Sequence, residues 1–383
     1  MKVREINLFA AGDSSDITTW SNVPYFFAKS MQAREVKVNR INIIPVDVAI
    51  YRLYMRGYEL LSALQRKLLK KDRRYDFYRD RVSLFLANQK IKKELRRFPD
   101  AEVNIFLTFS FSSHQFSNVP VVHYCDLTYE MYLKSQGRKI TNRQRRYIGI
   151  EKNNLKNAHY IFTTSRRCCE FIRDNHRLTN VKAVPAGINL ETRDVGDGES
   201  IIAEKKHHKN VLFIGKGYHK RGVDILVEAF TTFNDRHADT WQLHIVGFGR
   251  DSFGELSDNI RCYGELNKSI PSELACYLGL LRSARLFVMP MRAGPLPGVL
   301  KEAALMYTPS IVTNIWNVAD IVRDGYNGML VDHASADEFS KAMEELLSDE
   351  KLWGKLARNA HSSAARYSWG GAVDEILKVL AAG

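Results

Sequence analysis

The sequence predicts an α/β protein built from two doubly wound domains in tandem, each a parallel sheet with helices on both faces. A chain of 383 residues is longer than one ordinary hydrophobic core requires. Short apolar, β-branched runs alternate with helical stretches, which is typical of parallel strands joined by crossover helices. Residues 194–209 are polar and weakly periodic, so we expect a linker there. The predicted domains are residues 1–193, completed by about 368–383, and residues 194–367, facing each other across a cleft.

The individual elements follow from the same alternation. Six strands are expected in the first domain: Ile6 to Ala10, Ile41 to Val46, Val103 to Phe109, Val119 to Tyr124, Tyr160 to Thr164 and Val181 to Pro185. Six more are expected in the second: Val211 to Gly215, Leu243 to Gly247, Ile260 to Gly264, Arg285 to Pro290, Ser310 to Thr313 and Gly328 to Val331. Amphipathic stretches such as VDILVEAFTTF and ADEFSKAMEELL predict the helices between the later strands. Several of these strands end in glycine, where a doubly wound sheet opens its ligand crevice.

The composition indicates an ordinary globular protein of the cytoplasm. Hydrophobic residues make up 45% and charged residues 26%, and no apolar run approaches the roughly 20 residues that span a bilayer. Charges interrupt the N-terminal segment MKVREINLFAAG where a signal peptide would need its apolar core. The five cysteines are an odd number without metal-ligand spacing. We expect all of them to be reduced thiols: Cys125, Cys168, Cys169, Cys262 and Cys276.

The net charge of +13 comes entirely from the first half of the chain. The first 195 residues carry 35 Lys and Arg against 19 Asp and Glu, whereas the rest carry 21 against 24. Much of the excess lies in two blocks, Arg66 to Arg97 and Lys134 to Lys156. Such a stripe attracts nucleic acid, acidic lipid or an anionic acceptor. The first block mixes apolar and basic residues at helical spacing, which fits either a helix on an acidic bilayer or an ordinary helix with one solvated face.

A basic turn bounded by glycines follows the first strand of the second domain. It has the sequence GKGYHKRG, from Gly215 to Gly222, and a helix follows it. Backbone N–H groups and a helix N-terminus favour phosphate binding. Lys216 and Arg221 bring two cations to one anion, which suits a transferase that expels a nucleoside diphosphate, because negative charge grows on the leaving oxygen. The same residues are also compatible with a basic surface turn that binds nothing.

A second segment of interest follows the strand that ends at Pro290. It is a loop rich in proline and glycine, and a helix begins after it near Gly298. The amides of Gly298, Val299 and Leu300 are expected to point at an anion. Glu302, one turn into the helix, is placed to accept hydrogen bonds from ribose hydroxyls. Alternatively, Glu302 only complements the helix dipole.

These segments, in this order, resemble glycosyltransferase family 4, whose members have the GT-B fold. The pairs Gly215-Lys216 and Arg221-Gly222 keep the spacing of the family's phosphate segment, with both basic residues exchanged in kind. The glycine-ended strand at Gly247 and the glutamate Glu302 match later motifs. Further matches are looser and extend the resemblance over nearly the whole chain. They are Trp20 to Tyr25, Glu151, Ala158, Ser165, Val184 to Asn189, and Tyr367 to Trp369, where the last helix of the fold crosses back to the first domain.

The chain departs from the family at two positions of the site. Gly294 stands eight residues before Glu302, where members carry a glutamate that approaches the donor sugar. Asp126 stands where members often carry a histidine. We expect Asp126, at a strand end facing the cleft, to be the main site residue of the first domain. His123 lies nearby on the strand and serves either the acceptor side or the packing of the sheet, while Trp20 and Asn22 occupy the family's substrate loop.

The resemblance implies a retaining glycosyltransferase of bacterial polysaccharide or glycolipid assembly that uses a nucleotide-diphosphate sugar without a metal or other cofactor. Lys216, Arg221 and the amides of residues 298–300 would hold the diphosphate, and Glu302 the ribose. Asp126 would orient the acceptor or the donor sugar. No Asp-X-Asp metal signature lies near the phosphate loops. The acceptor would be a glycan or a lipid-linked sugar, with the block from Arg66 to Arg97 on an anionic membrane face.

Other functions stay open at this level. A nucleotide-sugar epimerase is hard to exclude, whereas a phosphorylase would need a pyridoxal lysine for which there is no sequence case. A non-catalytic partner protein in a polysaccharide assembly complex is suggested by Gly294 and opposed by the retained Lys216, Arg221 and Glu302. Nucleic-acid binding is not expected, because no known module is present and the basic blocks lie away from the glycine-ended strands.

Overall fold

The computed structural model of the protein describes residues 3–45, 49–69, 79–135, 137, 139–191, 195–238, 240–315 and 317–382. Within residues 50–69, it describes side chains only for residues 51–60. The strands β1 to β12 are Glu5–Ala10, Lys37–Asn42, Val103–Phe106, Val121–Cys125, Tyr160–Thr163, Val181–Ala183, Asn210–Ile214, Gln242–Val246, Ile260–Cys262, Leu286–Met289, Ser310–Thr313 and Gly328–Val331. The helices α1 to α14 are Val23–Gln32, Ala49–Leu69, Arg81–Arg97, Tyr129–Ser135, Asn142–Lys156, Arg166–His176, Gly198–His207, Tyr218–Arg221, Val223–Asp235, Pro271–Ser283, Val299–Leu305, Ala336–Ser348, Glu350–Ala364 and Trp369–Ala382.

The strands form two six-stranded sheets with the orders β2-β1-β3-β4-β5-β6 and β12-β11-β10-β7-β8-β9. Every ladder in both sheets is parallel, so the predicted fold class is confirmed. The direction in which strands are added reverses once in each sheet, between β1 and β3 and between β7 and β10. Loops at the carboxyl ends of the strands beside such a switch point form the ligand crevice in sheets of this class.

The chain divides into two compact units. The first consists of Met1–Thr164, Cys168–Val184 and Val373–Gly383, and the second of Ser165–Arg167 and Pro185–Ala372. The C-terminal helix α14 therefore begins in the second unit and from Val373 onward is part of the first. All five cysteines lie in the described part of the chain and carry free thiols, as predicted.

Strand β2 differs most from its prediction, because it begins four residues earlier and ends at Asn42. Its polar sequence KVNRIN includes a buried asparagine, Asn39. The Asn39 amide donates to Asn7 Oδ1 of β1 (3.0 Å), and the Asn7 amide donates to Asn104 Oδ1 of β3 (3.0 Å). This row of side-chain hydrogen bonds crosses three strands at one level of the sheet and satisfies buried polar groups that an apolar pattern cannot indicate.

The predicted linker at residues 194–209 is wrong, because most of it is the helix α7. Asp197 caps the helix by accepting a hydrogen bond from the Ser200 amide (2.9 Å). Ile201, Ile202 and Lys205 are buried. The polar composition hid this helix because one of its inward-facing residues is a lysine, whose ammonium donates to the carbonyls of Leu281 (3.0 Å) and Ala284 (2.6 Å).

Two further expectations concern membranes. Within the described residues, no helix combines the length and the apolar character needed to cross a bilayer. The basic block from Arg66 to Arg97 falls partly on α2 and α3, while residues 70–78 lie outside the described part of the chain.

Candidate functional site

The predicted phosphate turn lies at the switch point of the second sheet. It follows β7, whose neighbour β10 leads into the loop rich in proline and glycine, residues 290–298. A Cβ atom on Gly222 would lie 1.8 Å from the carbonyl oxygen of Pro290, and one on Gly247 would lie 2.0 Å from that of Gly215. Both glycines also have positive φ, +71° and +108°. The loops that follow β7, β8 and β10 therefore touch backbone to backbone, which only glycine permits.

Hydrogen bonds join the phosphate turn to the loop at residues 290–298. The carbonyl of Lys220 accepts from the amides of Arg292 (2.9 Å) and Ala293 (3.3 Å). The Arg221 guanidinium donates to the carbonyl of Pro295 (3.1 Å). One of the two predicted phosphate-binding cations is thus held between the two loops that the sequence singled out separately.

Lys216, the other predicted cation, is differently placed. Its side chain is 74% exposed and its ammonium lies 2.7 Å from the carboxylate of Glu265, which is 65% exposed. An ion pair in such an open position contributes little to stability. The Lys216 ammonium can therefore exchange Glu265 for another anion at small cost.

A third cation, Arg292, belongs to the same group and was missed by sequence reasoning. Its guanidinium donates to Asp224 Oδ1 of α9 (2.8 Å) and to the carbonyl of His219 (3.0 Å). Partial burial acts to raise the pKa of Asp224, but the hydrogen bond and charge of Arg292, together with hydrogen bonds from the Ile225 amide and His219, outweigh it and the pKa is lowered. The sequence signal was one basic residue, three positions after the last residue of β10.

Gly294 has a conformational reason to be glycine. Its φ is +118°, a value that side-chain-bearing residues rarely adopt. A Cβ atom built there would lie 3.8 Å from the guanidinium carbon of Arg221. A glutamate in this position would require the loop to change its backbone as well as to gain a side chain.

Helix α11 begins at Val299 with Gly298 as its N-cap, as predicted. Of the three amides expected to face an anion, that of Leu300 donates to the carbonyl of Pro297 (3.3 Å) and is therefore engaged within the loop. Glu302 lies one turn into the helix and is almost fully buried.

The carboxylate of Glu302 is bound by two residues that the sequence did not single out. The Lys268 ammonium donates to Oε1 and to Oε2 at 2.9 Å each, and the Tyr277 hydroxyl donates to Oε2 at 2.5 Å. The side chains of Lys268 and Glu302 are only 11% and 4% exposed. Glu302 thus has a counter-ion in addition to its place near a helix N-terminus.

In the first unit, Asp126 lies directly after β4, as predicted, and its side chain is partly accessible. The Cys125 thiol lies 3.5 Å from Asp126 Oδ1. Beneath it, buried Glu151 accepts a hydrogen bond from the Tyr129 amide at the start of α4 (2.6 Å). Burial raises the pKa of Glu151 to about 7.

His123 has no exposed atom with which to contact a substrate. It is fully buried on β4, and its Nδ1 lies 2.7 Å from the carbonyl of Thr108. Its ring packs against Phe106 and Phe109, and burial lowers its pKa to about 4. The structure therefore contradicts direct acceptor contact by His123 and gives this neutral imidazole a packing role in the first sheet.

Trp20 and Asn22 lie in a short 3-10 turn after β1, beside the switch point of the first sheet. Trp20, Ser21 and Asn22 all have positive φ, at 38°, 53° and 71°. The Asn22 amide donates to the carbonyl of Ile17. Three successive residues in this region store backbone strain, which the surrounding structure must support.

Comparison with known proteins identifies a family that matches part of the chain. Residues 208–349, which contain the phosphate turn, the loop at residues 290–298 and Glu302, match the family described as glycosyl transferases group 1. Through this segment, the chain is similar to the group 1 glycosyl transferases. The resemblance predicted from the motifs is confirmed.

The curated relatives of this protein are distant. An uncharacterised glycosyltransferase of Methanocaldococcus jannaschii is 24% identical over 289 residues, 72% of this chain and 71% of its own length. The phosphatidyl-myo-inositol mannosyltransferase of Mycobacterium leprae is 26% identical over 203 residues, 51% of this chain and 52% of its own. The match spans about half the length of most of the curated relatives.

Solved structures show the same fold over the whole chain. A sucrose-phosphate synthase from Thermosynechococcus elongatus superposes with a TM-score of 0.71, covering 99% of this chain and 100% of its own at 17% identity. HepE of Anabaena, solved with UDP-glucose, gives a TM-score of 0.63 over 99% and 100% at 13% identity. At these identities the likeness concerns the fold alone.

The residues of the candidate site that sequence reasoning missed are Arg292, Lys268 and Tyr277. Each acts through a partner from another element, so no local pattern marks it. Among the described residues, no three His, Cys, Asp or Glu side chains converge as a metal-ion site requires.

Proposed function

We propose that the protein transfers a sugar from a nucleotide-diphosphate donor to a hydroxyl group of a glycan or lipid-linked acceptor, with retention of anomeric configuration. The observation that carries the proposal is the interlocked pair of loops at the β7/β10 switch point, with Arg221 between them. A helix N-terminus, two loops and several cations at one point form an anion site of the kind a nucleoside diphosphate requires.

In the proposed reaction, the bond between the anomeric carbon and the β-phosphate oxygen breaks. The acceptor oxygen forms a bond to the same carbon from the same face, and its proton passes to the leaving diphosphate. Lys216 and Arg221 stabilise the negative charge that grows on that phosphate. They supply the positive charge themselves, so the proposal includes no metal ion or other cofactor.

The remaining roles are divided between the units. The amides of Gly298 and Val299 and the side chain of Glu302 bind the diphosphate and the ribose. Asp126, at the carboxyl end of β4, orients the acceptor or the donor sugar, and the strained turn at Trp20 and Asn22 contributes to the acceptor side. His123 acts only by packing.

The acceptor we favour is part of polysaccharide or glycolipid assembly, in keeping with relatives such as the mannosyltransferase of a phosphatidylinositol. Leu53 and Leu60 are each 72% exposed on α2, next to exposed Arg52 and Arg56, and Phe85 is exposed on α3. Exposed apolar side chains beside cations suit an anionic membrane surface. Binding to vesicles with phosphatidylglycerol, reduced by Leu53→Ser with Leu60→Ser, supports this part; equal binding of the variant contradicts it.

The non-catalytic alternative rests on Gly294. The positive φ of this residue supports a loop whose backbone has a conformation that suits glycine. A site that had only lost the glutamate side chain would have no need of that conformation. That observation favours an active enzyme with an unusual donor loop.

The decisive experiment is thermal stabilisation by UDP-, GDP-, ADP- and CMP-sugars, for the wild type, Lys216→Ala and Arg221→Ala. A ligand that binds only the folded state raises the melting temperature at saturation. We expect one nucleotide class to stabilise the wild type, Arg221→Ala to lose the shift and Lys216→Ala to reduce it. Lys341→Ala, which removes an exposed lysine on α12, is the matched control.

The donor found in this way is then incubated with candidate acceptors, and the anomeric configuration of the product is determined by NMR. An α-linked donor should give an α-linked product. Absence of stabilisation by every nucleotide sugar in a well-folded protein contradicts the proposed function, and an inverted product contradicts the retaining mechanism.

A further inference from the structure

Lys268 occupies the side of the Glu302 carboxylate that a ribose would need. Its ammonium bridges the two oxygens at 2.9 Å each, and two vicinal hydroxyls donating to the same carboxylate would use the same bridging position. The Tyr277 hydroxyl takes a further acceptor site on Oε2. Since a carboxylate offers about four acceptor sites and this one is almost fully buried, a diol cannot simply be added to the present bonds.

One of the two donors must therefore leave, and Tyr277 is the fixed one. It is buried on α10, and burial together with the Glu302 carboxylate raises its pKa, so it remains a protonated donor. Lys268 lies in the loop between β9 and α10, on a four-carbon stem with three rotatable donors. Its ammonium also contacts the carbonyl of Asn189 (3.3 Å) and lies 4.4 Å from the centre of the Tyr277 ring.

We infer that Lys268 is a positioning residue that gates the ribose-binding carboxylate: it holds Glu302 in the empty site and is displaced by the 2′- and 3′-hydroxyls of the donor nucleotide. The inference rests on the proposed function, which assigns the ribose to Glu302. Lys268 keeps the buried carboxylate paired when no nucleotide is present, because an unpaired buried charge destabilises the folded chain.

The gate makes nucleotide affinity depend on the diol. A ligand that must displace a charge-assisted hydrogen bond has a lower apparent affinity. The affinity is reduced in proportion to the fraction of molecules in which that bond is already broken. Only a nucleotide with both hydroxyls replaces the two hydrogen bonds from Lys268 that Glu302 loses. A 2′,3′-dideoxynucleotide leaves Lys268 in place and gains nothing from Glu302.

The test compares the wild type with Lys268→Met, which keeps the length of the side chain and removes the ammonium. The probes are UDP, GDP and ADP and their 2′,3′-dideoxy forms, with Kd measured by calorimetry. For the nucleoside diphosphate that binds the wild type, we expect Lys268→Met to bind about tenfold more tightly. For the dideoxy form we expect no change in Kd.

Two controls keep the result interpretable. Lys341→Met removes an exposed lysine and should leave every Kd unchanged. Lys268→Gln retains one hydrogen-bond donor without the charge, and should shift Kd in the same direction by less. It replaces Lys268→Met if that variant, which should melt at a lower temperature than the wild type, does not fold.

Each other outcome overturns the inference. Weaker binding of both nucleotide forms would mean that Lys268 binds the nucleotide directly. An unchanged Kd for both forms, with a lower melting temperature, would mean that Lys268 only stabilises the fold. In either case nucleotide binding by the wild type would leave the proposed function standing, whereas a wild type that binds no nucleoside diphosphate contradicts both.

Discussion

The two units share one architecture and differ in the ions that they bury. The first 195 residues, which carry the excess positive charge, bury the carboxylates of Asp80 and Glu151. The second unit, in the part of the chain with slightly more acidic than basic residues, buries the cations Lys205, Arg285 and Lys301 and one carboxylate, Glu302, which is paired with Lys268. The charge of a surface therefore says nothing about the ions beneath it.

For Glu151 and Lys205, the sign of the buried ion matches the backbone group that it meets. Glu151 accepts from the Tyr129 amide at the start of α4, where the helix dipole is positive. Lys205 donates to the carbonyls of Leu281 and Ala284 at the end of α10, where it is negative. These are local requirements of helix ends. The surface charge, by contrast, is available for ligands and partners.

The largest effect is expected at the backbone contact beside the β7/β10 switch point. Gly222→Ala places a Cβ atom 1.8 Å from the Pro290 carbonyl oxygen, and we expect it to lower the free energy of unfolding of the second unit by about 3 kcal/mol. Gly217→Ala is the matched control, because its φ is +94° but its nearest neighbour is 3.8 Å away; about 1 kcal/mol is expected.

The first unit offers a comparison for the same effect. A Cβ on Gly12 would meet the Thr19 side chain at 2.7 Å, and a side chain can move where a backbone carbonyl cannot. Urea denaturation should place Gly12→Ala between Gly217→Ala and Gly222→Ala. Equal losses for the two variants of the phosphate turn would show that strain alone, and not the backbone contact, requires glycine there.

Lys205→Met should have the next largest effect, about 2 kcal/mol in the free energy of unfolding, because it leaves two carbonyls and the Thr308 hydroxyl without their donor. Burial lowers the pKa of Lys205 from 10.5 to about 7. Between these values the unfolded chain binds more protons, so this lysine makes stability rise with pH. The variant should lose that slope in urea denaturation from pH 7 to 10.5.

Lys209→Met is the control, since Lys209 is exposed and donates only to the Thr240 hydroxyl (3.0 Å). It should change the free energy of unfolding by less than about 0.5 kcal/mol and keep the slope. If Lys209→Met and Lys205→Met behave alike, the buried cation does not have the role assigned to it.

Glu151→Gln should have the smallest effect, and the opposite pH dependence. The folded-state pKa of Glu151 is about 7 and its ordinary value 4.5, so between them the folded chain binds more protons. Stability from this group therefore falls as pH rises through that window. Glutamine still accepts from the Tyr129 amide, and we expect a change of at most about 1 kcal/mol at pH 5.

The measurement is the melting temperature from pH 4.5 to 7, which should fall less steeply for Glu151→Gln than for the wild type. Glu94→Gln, which removes a carboxylate paired with Arg97 on α3, should leave the slope unchanged. A slope that is the same in all three proteins would contradict the buried, proton-binding state of Glu151.

The sequence predicted the features that depend on local patterns. It did not predict the features that depend on contacts between residues far apart in the chain. Periodicity located both sheets, because a strand buried on two faces is apolar throughout, and glycine marked the strand ends. It failed at β2, where Asn39 is buried through bonds to other strands, and at α7, where Lys205 is buried against another helix. Both errors concern polar residues whose partners are far along the chain.

The candidate site shows the same limit. Arg221, Gly298 and Glu302 lie in compact motifs, so the sequence alone selects them as candidates. Lys268 is 34 residues from Glu302 in sequence, and Arg292 is 68 residues from Asp224. No spacing rule joins such pairs, so the counter-ion of Glu302 appears only in the folded structure.

Helix α14 makes the first unit depend on the last residues of this chain. Arg34 donates to Asp374 (2.6 Å from Nη2 to Oδ2), Lys182 pairs with Glu375, and Val373 and Ile376 are fully buried. During synthesis at about 5–20 residues per second, the ribosome makes the whole second unit before this helix emerges. The part of the protein translated first is then the last to be completed, after a delay on the order of 10 to 40 seconds. A stop codon just before Val373 would therefore leave the first unit incomplete and the second unit whole.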